Sequence, residues 1–114
     1  MPPKRDWKLR IKDILDAINQ IRAYTLGMTF EQFSSDRKTV DAVIRNLEII
    51  GEAARCVPAG VTDSNSHIPW ADMRATRNVL SHVYFGVNLE IVWDTIQKNL
   101  EPLREPLAEL IGEK

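Results

Sequence analysis

Apolar residues recur along the chain at steps of three and four, first as Ile11, Ile14, Ile18 and Ile21, then as Val40, Val43, Leu47, Ile50, Ala54 and Val57. That spacing puts each set on one face of a helix, so both segments are predicted to be amphipathic α-helices. The first is expected to start after Asp6, whose carboxylate can cap free backbone N–H groups. It should stop near Gly27, a residue that takes the left-handed conformation helix ends favour. Thr29 and Gln32 have capping-box spacing and predict a short helix next. Asp36 is the expected cap of the long second helix, which the Pro58-Ala59-Gly60 break should end, leaving Asp63 to His67 as loop. Pro69 suits the first position of a further helix, predicted to run through Trp70, Met73, Leu80 and Val83 to Gly86. Asn88 should cap the last helix, whose stripe is Leu89, Val92, Ile96, Leu100, Leu103, Leu107 and Leu110. Pro102 and Pro106 each remove a backbone donor and should bend or restart it.

No stretch of strand length alternates polar and apolar residues, and no internal repeat or long linker is present. The expectation is therefore an all-α fold, an antiparallel up-and-down bundle of four main helices with a short extra one, as a single domain over residues 1–114. Ala42, Asn46, Ile49 and Ala53 define a second face on the long second helix. Either that helix is central and buried on two sides, or its small residues let a second copy approach closely and form a homodimer.

Fifteen Lys and Arg against sixteen Asp and Glu give a formal charge of -1 over 114 residues. No global basic field exists to hold nucleic acid, so any such activity must come from a local patch. The segment from Met1 to Arg10 carries Lys4, Arg5, Lys8 and Arg10, but no apolar stretch follows it. Nowhere does an apolar run approach the ~20 residues of a membrane span, so a soluble, cytoplasmic protein with no membrane partner is expected. The single Cys56 cannot form an intrachain disulfide and should stay reduced.

His67, His82 and Cys56 form no ligand pair at zinc spacing, and the five glycines are too scattered for a phosphate cradle, so neither a metal nor a cofactor is expected. What remains is the segment from Met73 to Phe85. On a helix, Arg77, Ser81 and Tyr84 share one face, while Asn78 and His82 stack on the adjoining one. A guanidinium, an imidazole, an amide and a phenol within two turns are the parts needed to handle a phosphodiester without metal. The guanidinium can bind two nonbridging oxygens and stabilise developing charge. The imidazole can take the proton of a ribose 2′-hydroxyl or give one to the leaving 5′-oxygen. A symmetric dimer would supply the second imidazole that a base and an acid together require.

The same residues also have plain structural readings. Arg77 can sit in an ion pair with Glu48 or Glu52, His82 can be a polar residue near a helix end, and Tyr84 can be core with a hydrogen-bonded tip. Trp70 and Trp93 lie among apolar neighbours and read as packing residues, and His67 reads as a solvated loop residue. Asp41, Arg45, Glu48, Glu52 and Arg55 pair opposite charges at helical spacing. They form either a solvated face or, through Arg45, Glu48 and Glu52, the wall of a cleft that orients Arg77.

Arg77-Asn78-x-x-x-His82-x-Tyr84 resembles the R-x-x-x-x-H-x-Y signature of the HEPN superfamily, specifically its HepT-like minimal toxins. Further blocks resemble the family in order: Tyr24 to Met28 with Phe33 and Asp36, Arg45 to Ala53, Ile68-Pro69-Trp70, Tyr84 to Val87, and Val92-Trp93. The resemblance covers nearly the whole chain. It implies a helical homodimer whose motif helices face one cleft, and a metal-independent endoribonuclease acting on tRNA or mRNA as the toxin of a type VII toxin-antitoxin system. Carried over by position, Arg77 would bind phosphate, Asn78 would hold the backbone or orient the histidine, and His82 would be the acid and base. Tyr84 would be adenylylated, from ATP, by an MntA-like minimal nucleotidyltransferase antitoxin, which adds charge and bulk beside the cleft. The chain departs from the family in carrying Ala75-Thr76 where Gly-Met is common, and Asn88 where Asp is common. The rival readings are a non-catalytic nucleotide- or RNA-binding module, or a structural partner of the nucleotidyltransferase.

Overall fold

Asp6 opens the first helix, α1 (Trp7–Thr25), by accepting the backbone N–H of Lys8 at 2.9 Å. The computed structural model describes residues 6–78 and 88–112. Helix α1 buries Ile11, Ile14, Ile18 and Ile21 on one face, and Gly27 follows it with φ of +76°. Helix α2 (Phe30–Ser35) has both bonds of its capping box, Thr29 N–H to Gln32 Oε1 at 2.9 Å and Gln32 N–H to Thr29 Oγ1 at 3.1 Å. Asp36 caps α3 (Arg37–Arg55), accepting the Thr39 amide at 3.2 Å and its hydroxyl at 2.8 Å. Those bonds hold the Asp36 carboxyl below its ordinary value, the Thr39 hydroxyl first and the Thr39 amide second.

The long second helix stops at Arg55, before Pro58, and the Pro58-Ala59-Gly60 break opens another helix, α4 (Ala59–Ser64). Proline has no N–H to lose at a helix start and a backbone already suited to it, so here it starts structure as well as interrupting it. Asp63 and Ser64 are consequently helical, and the expected loop shrinks to the residues after them. Pro69 takes the cap position of α5 (Trp70–Ala75) instead of its first residue.

After Ala75 the expected helix tightens into a 3₁₀ turn over Thr76–Asn78, and its predicted continuation through Leu80 and Val83 to Gly86 lies outside the described residues. The Thr76 hydroxyl donates to backbone carbonyls there, competing with the α-helical ladder. The expected stacking of Ser81 and Tyr84 over Arg77, and of His82 over Asn78, falls on residues outside those described. Asn88 caps α6 (Leu89–Lys98) through the Glu90 amide at 3.2 Å, and the chain restarts as α7 (Glu101–Leu110). Pro102 sits in the first turn of α7, where a missing donor costs nothing, and Pro106 lies inside that helix without ending it.

The described residues form helices and the short segments that join them, with no strand. Helices α1 and α3 make the main interface, α7 packs on α1, and α5 with the 3₁₀ turn packs on α3. Helix α2 bridges α3 and α6, with the fully buried Phe33 ring 5.2 Å from that of Trp93. Trp70 is buried and its indole N–H donates to the Asn65 carbonyl at 3.0 Å, so both tryptophans are packing residues. On the second face of α3, Ala53 is buried while Ala42, Asn46 and Ile49 are half-buried. Among the described residues no helix is long and apolar enough to cross a membrane.

Candidate functional site

The C-terminal end of α3 and the 3₁₀ turn build one site together. A glycine interrupts the apolar stripe of α3 at Gly51. A Cβ there would lie 2.8 Å from the Arg77 backbone nitrogen and 2.9 Å from Arg77 Cβ, closer than such atoms sit in folded proteins. The missing side chain lets the turn rest directly on the helix backbone. Thr76 fastens it there. Its hydroxyl oxygen is 2.9 Å from the Leu47 carbonyl and 2.7 Å from the Met73 carbonyl, so its one proton can be donated to α3 or to the end of α5.

Arg77 leaves this turn beside Glu52, the residue after Gly51. Arg77 Nη1 is 3.2 Å from Glu52 Oε2, with the two side chains 51% and 41% exposed. The other carboxylate oxygen, Oε1, takes Arg55 Nη2 at 2.8 Å. Glu52 ionises below its ordinary value, chiefly through the Arg55 hydrogen bond. Partial burial opposes this, and the charges of Arg55, Arg77 and Arg10 reinforce it. Arg10, near the start of α1, therefore lies close to Glu52, near the end of α3, and the two helices run antiparallel. Arg10 Nε is buried and has no hydrogen-bond partner. Two guanidinium groups contact one carboxylate and the charge of a third, Arg10, reaches it, a local excess of positive charge in a chain whose formal charge is -1. That is the local patch the composition requires of any anion-binding function.

Of the residues singled out in the sequence, Arg77 and Glu52 meet, and Arg45 pairs with Glu48 one turn earlier on α3, at 3.4 Å. Asn78 ends the 3₁₀ turn and is exposed. His82 and Tyr84 lie outside the described residues, and so does any geometry between them and Arg77. The ion pair foreseen as the structural role of Arg77 is present, yet half of the side chain faces solvent. It is neither sealed in the bundle nor used up by one exposed carboxylate.

Chain-order reasoning missed Arg10, Gly51 and Thr76. Gly51 carried a signal, since a glycine inside a strongly periodic helix often marks close approach of another backbone. Arg10 carried none, because nothing in local spacing links the start of α1 to the turn after α5. Among the described residues no three His, Cys, Asp or Glu side chains gather as metal ligands. A groove of about 640 Å³ between α1 and α7 is lined by both acidic and basic residues and does not include Arg77.

The family model for HepT-like ribonucleases matches residues 14–110, from the middle of α1 through α3 and the 3₁₀ turn to the last two helices. The chain belongs to the HepT-like ribonuclease family. A protein of Thermococcus cleftensis named "Probable ribonuclease HepT" is 39% identical over 107 residues, covering 94% of this chain and 97% of its own. A candidate RNase of Methanocaldococcus jannaschii is 37% identical over 115 residues, covering 97% and 95%. A candidate RNase of Caldanaerobacter subterraneus subsp. tengcongensis is 39% identical over 85 residues, covering 75% and 76%. No solved structure gives a significant match. The matched span, residues 14–110, includes Arg77, His82 and Tyr84.

Proposed function

We propose that this HepT-like protein is a metal-independent endoribonuclease, active as a homodimer of antiparallel four-helix bundles. The observation that carries this is the half-exposed Arg77 guanidinium, set on a rigid turn inside a cluster of net positive charge. A phosphodiester presented there takes two charge-assisted hydrogen bonds from Arg77, which strengthen as negative charge grows on the pentacovalent phosphorane. His82 takes the proton of the ribose 2′-hydroxyl as its oxygen attacks phosphorus. The imidazole of the second copy protonates the departing 5′-oxygen, which leaves a cyclic phosphate on one fragment and a 5′-hydroxyl on the other. Asn78 holds the RNA backbone or orients the imidazole. The half-buried face of Ala42, Asn46 and Ile49 on α3 is where the copies meet.

In this reading the protein is the toxin of a type VII toxin-antitoxin pair, cuts tRNA or mRNA in the cytoplasm, and needs no cofactor of its own. An MntA-like minimal nucleotidyltransferase uses ATP to adenylylate Tyr84, placing a phosphate charge where Arg77 would otherwise receive RNA. The experiment is cleavage of total tRNA by the unmodified protein in EDTA. Arg77→Ala and His82→Ala should each lower the rate at least about 100-fold, the scale of losing a transition-state charge donor or a general acid–base. Equal cleavage by all three proteins would remove these residues from the mechanism. The pairing of Arg77 with Glu52 favours one rival, a module that binds RNA or nucleotide through Arg77 without cutting it. It predicts saturable binding that Arg77→Ala weakens, with RNA intact on a denaturing gel.

A further inference from the structure

We infer that Thr76, seated over Gly51, is a positioning residue that sets where the Arg77 guanidinium stands. The inference rests on the ribonuclease reading for its consequence in RNA handling, but its geometry stands on its own. Leu47 O accepts the Gly51 amide within the α3 ladder, because the two residues are one helical turn apart. The same carbonyl accepts the Thr76 hydroxyl at 2.9 Å. Gly51 and Thr76 thus act at one point: the glycine removes the side chain that would hold the turn away, and the hydroxyl ties the turn down.

Arg77 is the next residue, and its backbone nitrogen and Cβ are the atoms that a Cβ on Gly51 would strike. Lifting the turn moves the root of the Arg77 side chain, and with it the 3.2 Å contact of Arg77 Nη1 to Glu52 Oε2. A displacement of about 1 Å in a phosphate-gripping group can cost on the order of 100-fold in rate. Thr76 never touches substrate in this scheme. It acts through Arg77 alone, which distinguishes it from a threonine that only stabilises the fold.

The test compares Thr76→Val, which keeps the shape and removes the hydroxyl, with Thr76→Ser, which keeps the hydroxyl. Cleavage of total tRNA is measured beside binding of an uncleavable 2′-O-methyl RNA oligonucleotide by fluorescence anisotropy. Thr76→Val should lose about tenfold in cleavage and weaken binding, while Thr76→Ser stays within about twofold, the range set by one hydrogen bond. In an Arg77→Gln background, Thr76→Val should cause no further loss of oligonucleotide binding, because the residue it positions is gone. An undiminished further loss in that background would overturn the inference in favour of a general structural role. Gly51→Ala should lose more than Thr76→Val, on the order of 100-fold. If that variant fails to fold, the Thr76 pair still decides.

A wild-type protein that neither cuts nor binds RNA would sink the ribonuclease reading. The crystal structure of Thr76→Val would then judge the inference by itself. Arg77 displaced from Glu52 supports it, and an unmoved turn with the 3.2 Å contact intact overturns it.

Discussion

Glu52 takes a guanidinium on each carboxylate oxygen, Arg55 on one and Arg77 on the other, with the charge of Arg10 close by. Its folded-state carboxyl is therefore held below the ordinary value, and the sign of the pH dependence follows. The stabilisation from these contacts is complete above the ordinary glutamate value of about 4.3 and is lost only as pH falls through the lower, folded-state value. An NMR titration of the Glu52 side-chain carboxyl should find its midpoint below that value. Arg55→Gln should raise it most, since the Arg55 hydrogen bond is the largest cause, and Arg77→Gln should raise it less. A midpoint unmoved by Arg55→Gln would contradict the arrangement. At neutral pH the carboxylate is ionised and paired with Arg77, about half of whose side chain still faces solvent.

At the scale of single helices, starts are set by short polar side chains. Asp6, Thr29, Asp36 and Asn88 each accept a backbone amide at the first turn of the helix that follows. Asn and Asp cap helices about equally well. Asn88→Asp should therefore leave urea unfolding unchanged within a few tenths of a kcal/mol, while Asn88→Ala should cost about 1 kcal/mol. Equal destabilisation by both substitutions would mean that the amide does something at α6 other than capping. The end of α5 follows a different rule. Its α-helical ladder gives way because the Thr76 hydroxyl finds an acceptor on another helix, and no propensity along α5 contains that information.

For the molecule as a whole, two surfaces matter, the Arg77 cluster and the second face of α3. Ala53 is buried within the chain, whereas Ala42, Asn46 and Ile49 are only half covered. If a second copy completes that cover, sedimentation velocity should give about twice the 13.0 kDa chain mass. Ile49→Glu should then give a monomer and lose cleavage with Arg77 intact, because a charge cannot be buried unpaired in such an interface. A monomeric wild type that still cleaves would remove the dimer from the mechanism. With a formal charge of -1, the protein has no long-range pull on an anion such as RNA, so under the proposed function the arginines near Glu52 would have to supply the attraction locally.

Helix identity and most boundaries were legible in the chain itself, because apolar spacing and capping residues act over one or two turns. Ile11 to Ile21, the Thr29–Gln32 box, the Asp36 cap and the restart before Pro102 all depend on neighbours a few residues away. The family was legible for a different reason, a resemblance running along nearly the whole chain. Tertiary packing decided that the Thr76 hydroxyl reaches the Leu47 carbonyl and that Gly51 makes room for Arg77. It also decided that Arg10 joins Arg55 and Arg77 around Glu52. Those outcomes are contacts between segments far apart in sequence, where a hydroxyl, an absent side chain or a charge finds its partner only after the helices have docked.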